Sequence, residues 1–149
     1  MTTKQFNIRV YGLLIHPEKG ILISEERYQG HHFTKFPGGG LEWGEGPAET
    51  VRRELREELD LEVSHAEHVY TTDFFVQSAF RESDQVLSIY YRITPMNWAD
   101  LDNVEERENT DEPGRTQKFH WVPMNELSME SVRFPTDRRV VDLLMRSGI

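Results

Sequence analysis

The chain contains no cysteine among its 149 residues. That absence removes disulfides, thiolate-bound zinc, iron–sulfur clusters and thiol nucleophiles from consideration. Long apolar runs are missing too: none approaches the roughly 20 residues of a membrane-spanning helix. The opening Met1-Thr-Thr-Lys-Gln-Phe-Asn is followed by no apolar signal core, so a cytoplasmic location without membrane attachment is expected. Positive charge is in deficit, with 17 Lys and Arg against 26 Asp and Glu and a net charge of −9. Such a surface repels phosphate backbones, which argues against a nucleic-acid partner. A small phosphorylated ligand stays open if a divalent cation neutralises the charge on both sides. No internal repeat or low-complexity linker is present, and this length predicts one domain spanning residues 1–149.

Apolar spacing places a first strand around Ile8, Val10, Leu14 and Ile15, with Gly12 as a bulge or a close backbone approach. After a turn at Pro17–Gly20, Ile21–Arg27 reads as a second strand, and Tyr28–Phe33 as a loop rich in histidine and aromatics. Pro47 suits the first position of a helix running to about Leu59. Val69–Val76 and Val86–Ile93 read as strands joined by a turn near Arg81–Asp84, and Phe119–Val122 as a further short strand. Thr136 or Asp137 is expected to cap a final helix. Residues 98–117 carry seven acids against two arginines, and read as a long solvated loop, mobile or disordered. Strands outnumber helices, so the pattern predicts an α/β fold with a mixed sheet between helices.

The helix 47–59 holds the chemistry. At about 100° per residue, Ala48, Val51, Leu55 and Leu59 share one face. Glu54, Glu57 and Glu58 fill the adjoining arc at i,i+3 and i,i+4 spacing, where like charges repel. Arg53 can relieve Glu57, whereas Glu54 and Glu58 have no basic partner on their own edge. A solvated acidic face is the plain reading of such an arc. Three carboxylates beside a buried stripe are also what a hard divalent cation takes. Gly38-Gly39-Gly40 precedes the helix, and a glycine carbonyl laid over the three acids would complete an oxygen-rich cage.

Taken together, Gly39-x5-Glu45-x7-Arg53-Glu54-Leu55-x-Glu57-Glu58-x-Asp60-Leu61 resembles the Nudix box, G-x5-E-x7-R-E-U-x-E-E-x-G-U, with U a bulky aliphatic. Eight of its nine specified positions are met; the second glycine is Asp60. The flanking Phe36-Pro37-Gly38 and the downstream Trp121–Leu127 extend the likeness over most of the chain. The missing glycine falls where a helix exit often needs a left-handed backbone, which Asp tolerates at some cost in stability.

The resemblance implies an α/β/α sandwich and a hydrolase that cleaves nucleoside diphosphates linked to another moiety. It implies Mg²⁺ or Mn²⁺ held by Glu54, Glu57 and Glu58, with the Gly38 or Gly39 carbonyl added. Arg53 would orient the carboxylates, and Glu45 would brace the loop–helix join. The general base is Glu54 or a glutamate of the acidic stretch, among Glu105, Glu106, Glu108 and Glu112. Arg27 is the first phosphate contact expected, with Lys35, Arg9, His31 and His32 behind it. Tyr28, Phe33 and Trp43 are candidates to stack on a base. The family's subclass markers, a proline or tyrosine downstream of the box, are absent from Gln77–Ala79. A nucleoside triphosphate or nucleotide-derived diphosphate is therefore the default substrate. The resemblance admits a homodimer, as in many relatives. The related isomerase branch needs a cysteine and is excluded. A non-catalytic nucleotide sensor is the alternative, but such modules usually lose the box glutamates that are kept here.

Overall fold

The structure, a computed structural model, describes residues 3–147, so both ends of the expected 1–149 domain lie outside the described residues. In chain order the strands β1 (Gln5–Leu13), β2 (Ile15–His16), β3 (Gly20–Tyr28), β4 (His31–Lys35) and β5 (Gly38–Gly40) precede helix α1 (Pro47–Leu59). Then come β6 (Val63–Thr71), β7 (Asp84–Pro95), β8 (Glu108–Asn109), β9 (Arg115–Val122) and helix α2 (Pro135–Ser147). The mixed sheet runs β5-β1-β7-β6, with β1 and β7 parallel and the outer pairs antiparallel. A second, antiparallel sheet runs β2-β3-β9-β8, with β4 also paired to β3.

Strand alternation divides the core. Val10, Leu22, Ile93 and Phe119 pack with Val51, Leu55 and Leu59 of α1. Tyr11, Leu13, Ile21, Ile23 and Tyr90 pack with Val140, Val141 and Leu144 of α2. Successive side chains of β1 and β3 point to opposite faces, so the sheets lie between helices as the sandwich expectation required. A backbone hydrogen bond from Leu22 to Leu14 (3.0 Å) ties the two sheets. Gly12 is the close approach: a Cβ there would lie 3.0 Å from Ile93 and 3.2 Å from Leu55. No helix among the described residues is long and apolar enough to cross a membrane.

Several expectations are corrected. The Tyr28–Phe33 loop is a hairpin, β3 turning into β4 through Gln29 and Gly30, both at positive φ, as a two-residue turn requires. The expected strand Val69–Val76 lies earlier, at β6, because residues 72–83 leave the sheet except for a bridge between Gln77 and Gln85. Thr136 and Asp137 do not cap α2; they sit buried inside its first turn, where Asp137 Oδ1 accepts the Tyr90 hydroxyl. The acidic stretch 98–117 is not a free solvated loop. Leu101 and Val104 insert into the α1-side core, 3₁₀ turns surround them, and β8 pairs with β9.

Asp60 does close α1 in the left-handed conformation (φ 53°, ψ 39°), its N–H returning to Arg56 O. An L side chain there costs about 1 kcal/mol. Asp60→Gly is therefore expected to stabilise the protein by about 1 kcal/mol, raising Tm by roughly 3 °C. A thermal melt showing no gain would place the strain elsewhere.

Candidate active site

Arg53 is the hub of the loop–helix join. Its Nε donates to Glu45 Oε2 (2.6 Å), its Nη2 to Glu45 Oε1 (2.9 Å) and to Gly40 O (3.0 Å). Its Nη1 reaches Glu54 Oε1 (2.9 Å) and Glu57 Oε2 (3.3 Å). Glu45 also accepts the Thr50 hydroxyl (2.9 Å) and the Glu42 N–H (3.1 Å), which pins the loop to the helix start. Hydrogen bonding by Arg53 draws the Glu45 carboxyl down to about 2. Contrary to the helix-wheel expectation, Glu54 thus has a basic partner, its own neighbour in sequence.

The three box acids differ sharply in setting. Glu57 is exposed, Glu54 mostly covered, and Glu58 only 7 % exposed. Burial pushes the Glu58 carboxyl up to about 7, against the pull of Lys35. Its Oε2 is buried without a hydrogen-bond partner. An orphan of that kind costs 1–3 kcal/mol or more unless something compensates it. Gly39 lies directly over Glu54: a Cβ there would stand 2.4 Å from the carboxyl carbon. The bonds Gly12 N–Pro37 O and Leu41 N–Ile8 O bracket the Val10–Gly39 pair. By antiparallel alternation the Gly39 carbonyl faces β1, leaving that of Gly38 on the open edge.

Glu54, Glu57 and Glu58 line one wall of a cavity of about 330 Å³, with Asp111, Glu112, Arg115 and Gln117 opposite. Among the described residues no three acids or histidines already enclose a point that would hold a metal. The hard oxygen donors, the uncompensated Glu58 Oε2 and the glycine cradle over Glu54 all fit a divalent cation. Of the glutamates of the acidic stretch, Glu112 reaches this cavity, beside Asp111. Glu105 instead accepts the Trp121 N–H (3.3 Å), and Glu108 lies 4.0 Å from Lys118.

A larger cleft of about 510 Å³ adjoins it, sharing Glu112 and Arg115. Tyr28, Phe33, Phe80 and Phe134 line one part, and Arg9, Lys35, Arg81 and Arg115 supply cations. Phe80 packs against Phe33 at 5.5 Å and Phe134 at 6.0 Å between ring centroids. Arg27 is not brought here. On β3 it alternates with Glu26 and Tyr28, which face the cleft, and so it points to solvent. Trp43 is fully exposed on its turn and lines neither cavity. His31 lies edge-on to Phe80, whereas His32 pairs with Glu25 on the other face of the hairpin (2.8 Å).

Sequence reasoning missed Glu26, Arg115 and Asn109. Glu26 is 2 % exposed; burial would raise it, but Lys35 and Arg115 pull it down to about 2. Asn109 donates to the Glu58 carbonyl (2.8 Å) and to Gln117 (3.0 Å), tying the end of α1 to the β8–β9 pair. Strict alternation along β3 was the available signal for Glu26; nothing local marks the other two.

Comparison with known proteins places this geometry. The family model described as NUDIX domain matches residues 6–144. An RNA pyrophosphohydrolase of Acinetobacter baylyi is 35 % identical over 63 residues, a match spanning 38 % of each chain. The MutT NUDIX hydrolase of Burkholderia pseudomallei superposes with a TM-score of 0.69 at 18 % identity, covering 93 % of this chain and 98 % of that one. The MutT protein of Methanosarcina mazei Go1 gives 0.69 at 16 % identity, covering 99 % of both. At these identities the two structures speak for the fold.

Proposed function

The chain belongs to the Nudix family of hydrolases, and from that premise we propose that it splits a phosphoanhydride bond in a nucleoside triphosphate or a related nucleoside diphosphate derivative. The observation that carries this reading is the junction of two cavities, one lined by carboxylates and one by aromatic rings and cations. An anhydride over the first leaves its nucleoside in the second, with the base against Phe80, Phe33 and Tyr28. The whole chain works as one catalytic domain, on small nucleotides in the cytoplasm.

Glu54, Glu57 and Glu58, with the Gly38 carbonyl, would hold Mg²⁺ or Mn²⁺. When bound, the ion supplies charge neutralisation to the anhydride oxygens and makes water easier to deprotonate. The chain's own residues do the rest. Arg53 fixes Glu54 and Glu57 against the loop, and Glu45 fixes Arg53. Glu54, with Oε1 on Arg53, offers Oε2 to take the proton from the attacking water. Glu112 stands across the same cavity as the other glutamate able to do so. Departure of the leaving phosphate is aided by the neighbouring cations.

A second reading, action as a pyrophosphohydrolase on an RNA, rests on the name of the Acinetobacter relative. The chain's net charge of −9 opposes it. A panel of nucleoside triphosphates, nucleotide sugars, ADP-ribose, dinucleoside polyphosphates and a 5′-triphosphorylated oligoribonucleotide, assayed with Mg²⁺ for released phosphate, separates the two. Turnover of a free nucleotide that falls at least a hundred-fold in Glu57→Gln is expected. Turnover of the oligoribonucleotide alone favours the second reading, and binding without turnover favours a sensor.

A further inference from the structure

Arg115, at the start of β9, lines both cavities. Its Nε and Nη2 donate to Glu26 Oε1 at 3.1 and 2.8 Å, and its Nη1 reaches Glu112 Oε2 at 3.3 Å. The second oxygen of Glu26 is taken by Lys35 Nζ (3.0 Å) and the Ser24 hydroxyl (3.0 Å), with Gln117 Nε2 at 3.4 Å. Glu26 is therefore a buried anion saturated on both oxygens. Removing such a carboxylate from water is costly, and full pairing is what makes it tolerable. Two N–H groups on one edge of the guanidinium converge on a single charged oxygen, which aims that edge at Glu26 and the other edge away from it. The remaining edge of Arg115 meets Glu112, whose side chain is half exposed, on Nη1, and its Nη2 lies 3.9 Å from Glu58 Oε1.

Resting on the reading above, we propose that Arg115 grips the polyphosphate where it crosses from the aromatic cleft to the acidic cavity, and that Glu26 is the positioning residue that aims it. Phosphoryl oxygens take the place of the Glu112 carboxylate on Nη1, an exchange of one anion for another at the same donor. Lys35, spent on Glu26 and the Phe36 carbonyl (3.1 Å), stiffens the arrangement from below. The arrangement favours substrates whose phosphate chain is long enough to span the junction.

Inorganic tripolyphosphate in Mg²⁺ buffer is the probe, read by calorimetry on the wild type, Arg115→Ala, Arg115→Lys and Glu26→Gln, beside steady-state kinetics on the nucleotide turned over. Charge-assisted hydrogen bonds of this type correspond to roughly ten- to hundred-fold in affinity. Arg115→Ala is expected to weaken tripolyphosphate about thirty-fold and to raise KM more than it lowers kcat, with partial rescue by Lys. Glu26→Gln is expected to reproduce part of that loss, and to add nothing further on top of Arg115→Ala. Arg115 is partly exposed, so its variants test the idea even if Glu26→Gln fails to fold. Equal tripolyphosphate affinity in the wild type and Arg115→Ala, or additive losses in the double variant, overturns the assignment while leaving hydrolysis intact. Normal Arg115-dependent binding by a wild type that hydrolyses nothing overturns the hydrolytic reading and upholds the grip.

Discussion

Glu58→Gln is expected to lower nucleotide turnover about a thousand-fold while making the metal-free protein more stable above pH 7. The first half follows from the proposed ligand role: Glu58 offers a buried, unpartnered oxygen to the cavity, and an amide replaces its charge with a weak neutral donor set. Losses of about this order accompany removal of a group that stabilises transition-state charge. The second half follows from linkage. The folded value, about 7, lies above the ordinary 4.5 because burial disfavours the anion. A group raised on folding contributes stability that is full below its unfolded value and is lost as pH climbs through its folded value. The wild type therefore loses this contribution between about pH 4.5 and 7. Glutamine does not ionise, so it escapes that loss. The variant's advantage grows by about 3 kcal/mol, or roughly 9 °C in Tm, from pH 4.5 to pH 8, on top of a pH-independent offset from the amide's own desolvation. Melting curves at pH 5 and pH 8 without metal check the trend; a pH-independent difference would mean that Glu58 does not titrate as its burial requires. Adding Mg²⁺ should stabilise the wild type more than the variant.

Gly39→Ala is expected to leave a folded protein with turnover reduced about a hundred-fold. The new Cβ would meet Glu54 Cδ at 2.4 Å and its oxygens at 2.5 and 2.6 Å, distances no Cβ sustains. The obstructing atoms are the end of a flexible side chain, so the backbone need not give way. Glu54 must instead leave the place where Arg53 Nη1 holds it. Displacement of a reacting group by about 1 Å can cost about a hundred-fold. Circular dichroism and kcat on the same samples give the answer. A variant with native turnover would show that the position of Glu54 is not required.

Much of this site was legible because its signals are local. The box acids sit three and four residues apart on one helix, Glu45 and Arg53 belong to the same spacing, and Asp60 tolerates the left-handed exit that its position demands. Other misreadings came from forces that local patterns do not carry. Arg27 was expected at the phosphate because of its charge and place at a strand end, yet pleat alternation turns it away and brings Glu26 inward. Residues 98–117 looked solvated from their acidity, but Leu101 and Val104 are enough to anchor them in the core. The Tyr28–Phe33 segment lacked an Asn-Gly turn signal, though Gln29 and Gly30 both accept positive φ.

The amino-acid order alone therefore determined the helix and its carboxylate arc, which depend on spacing within one or two turns, and the glycine approach and fold class, which depend on the spacing of motifs and elements along the chain. Only tertiary structure decided that Glu58 is buried, that Glu112 is the glutamate of its stretch that reaches the cavity, and that Arg115 joins the two cavities. Those facts arise from pairing between residues far apart in sequence, such as Glu26 with Arg115 across the β3–β9 ladder. Burial and partnership of this kind are set by which strands lie side by side, a property that no single segment encodes.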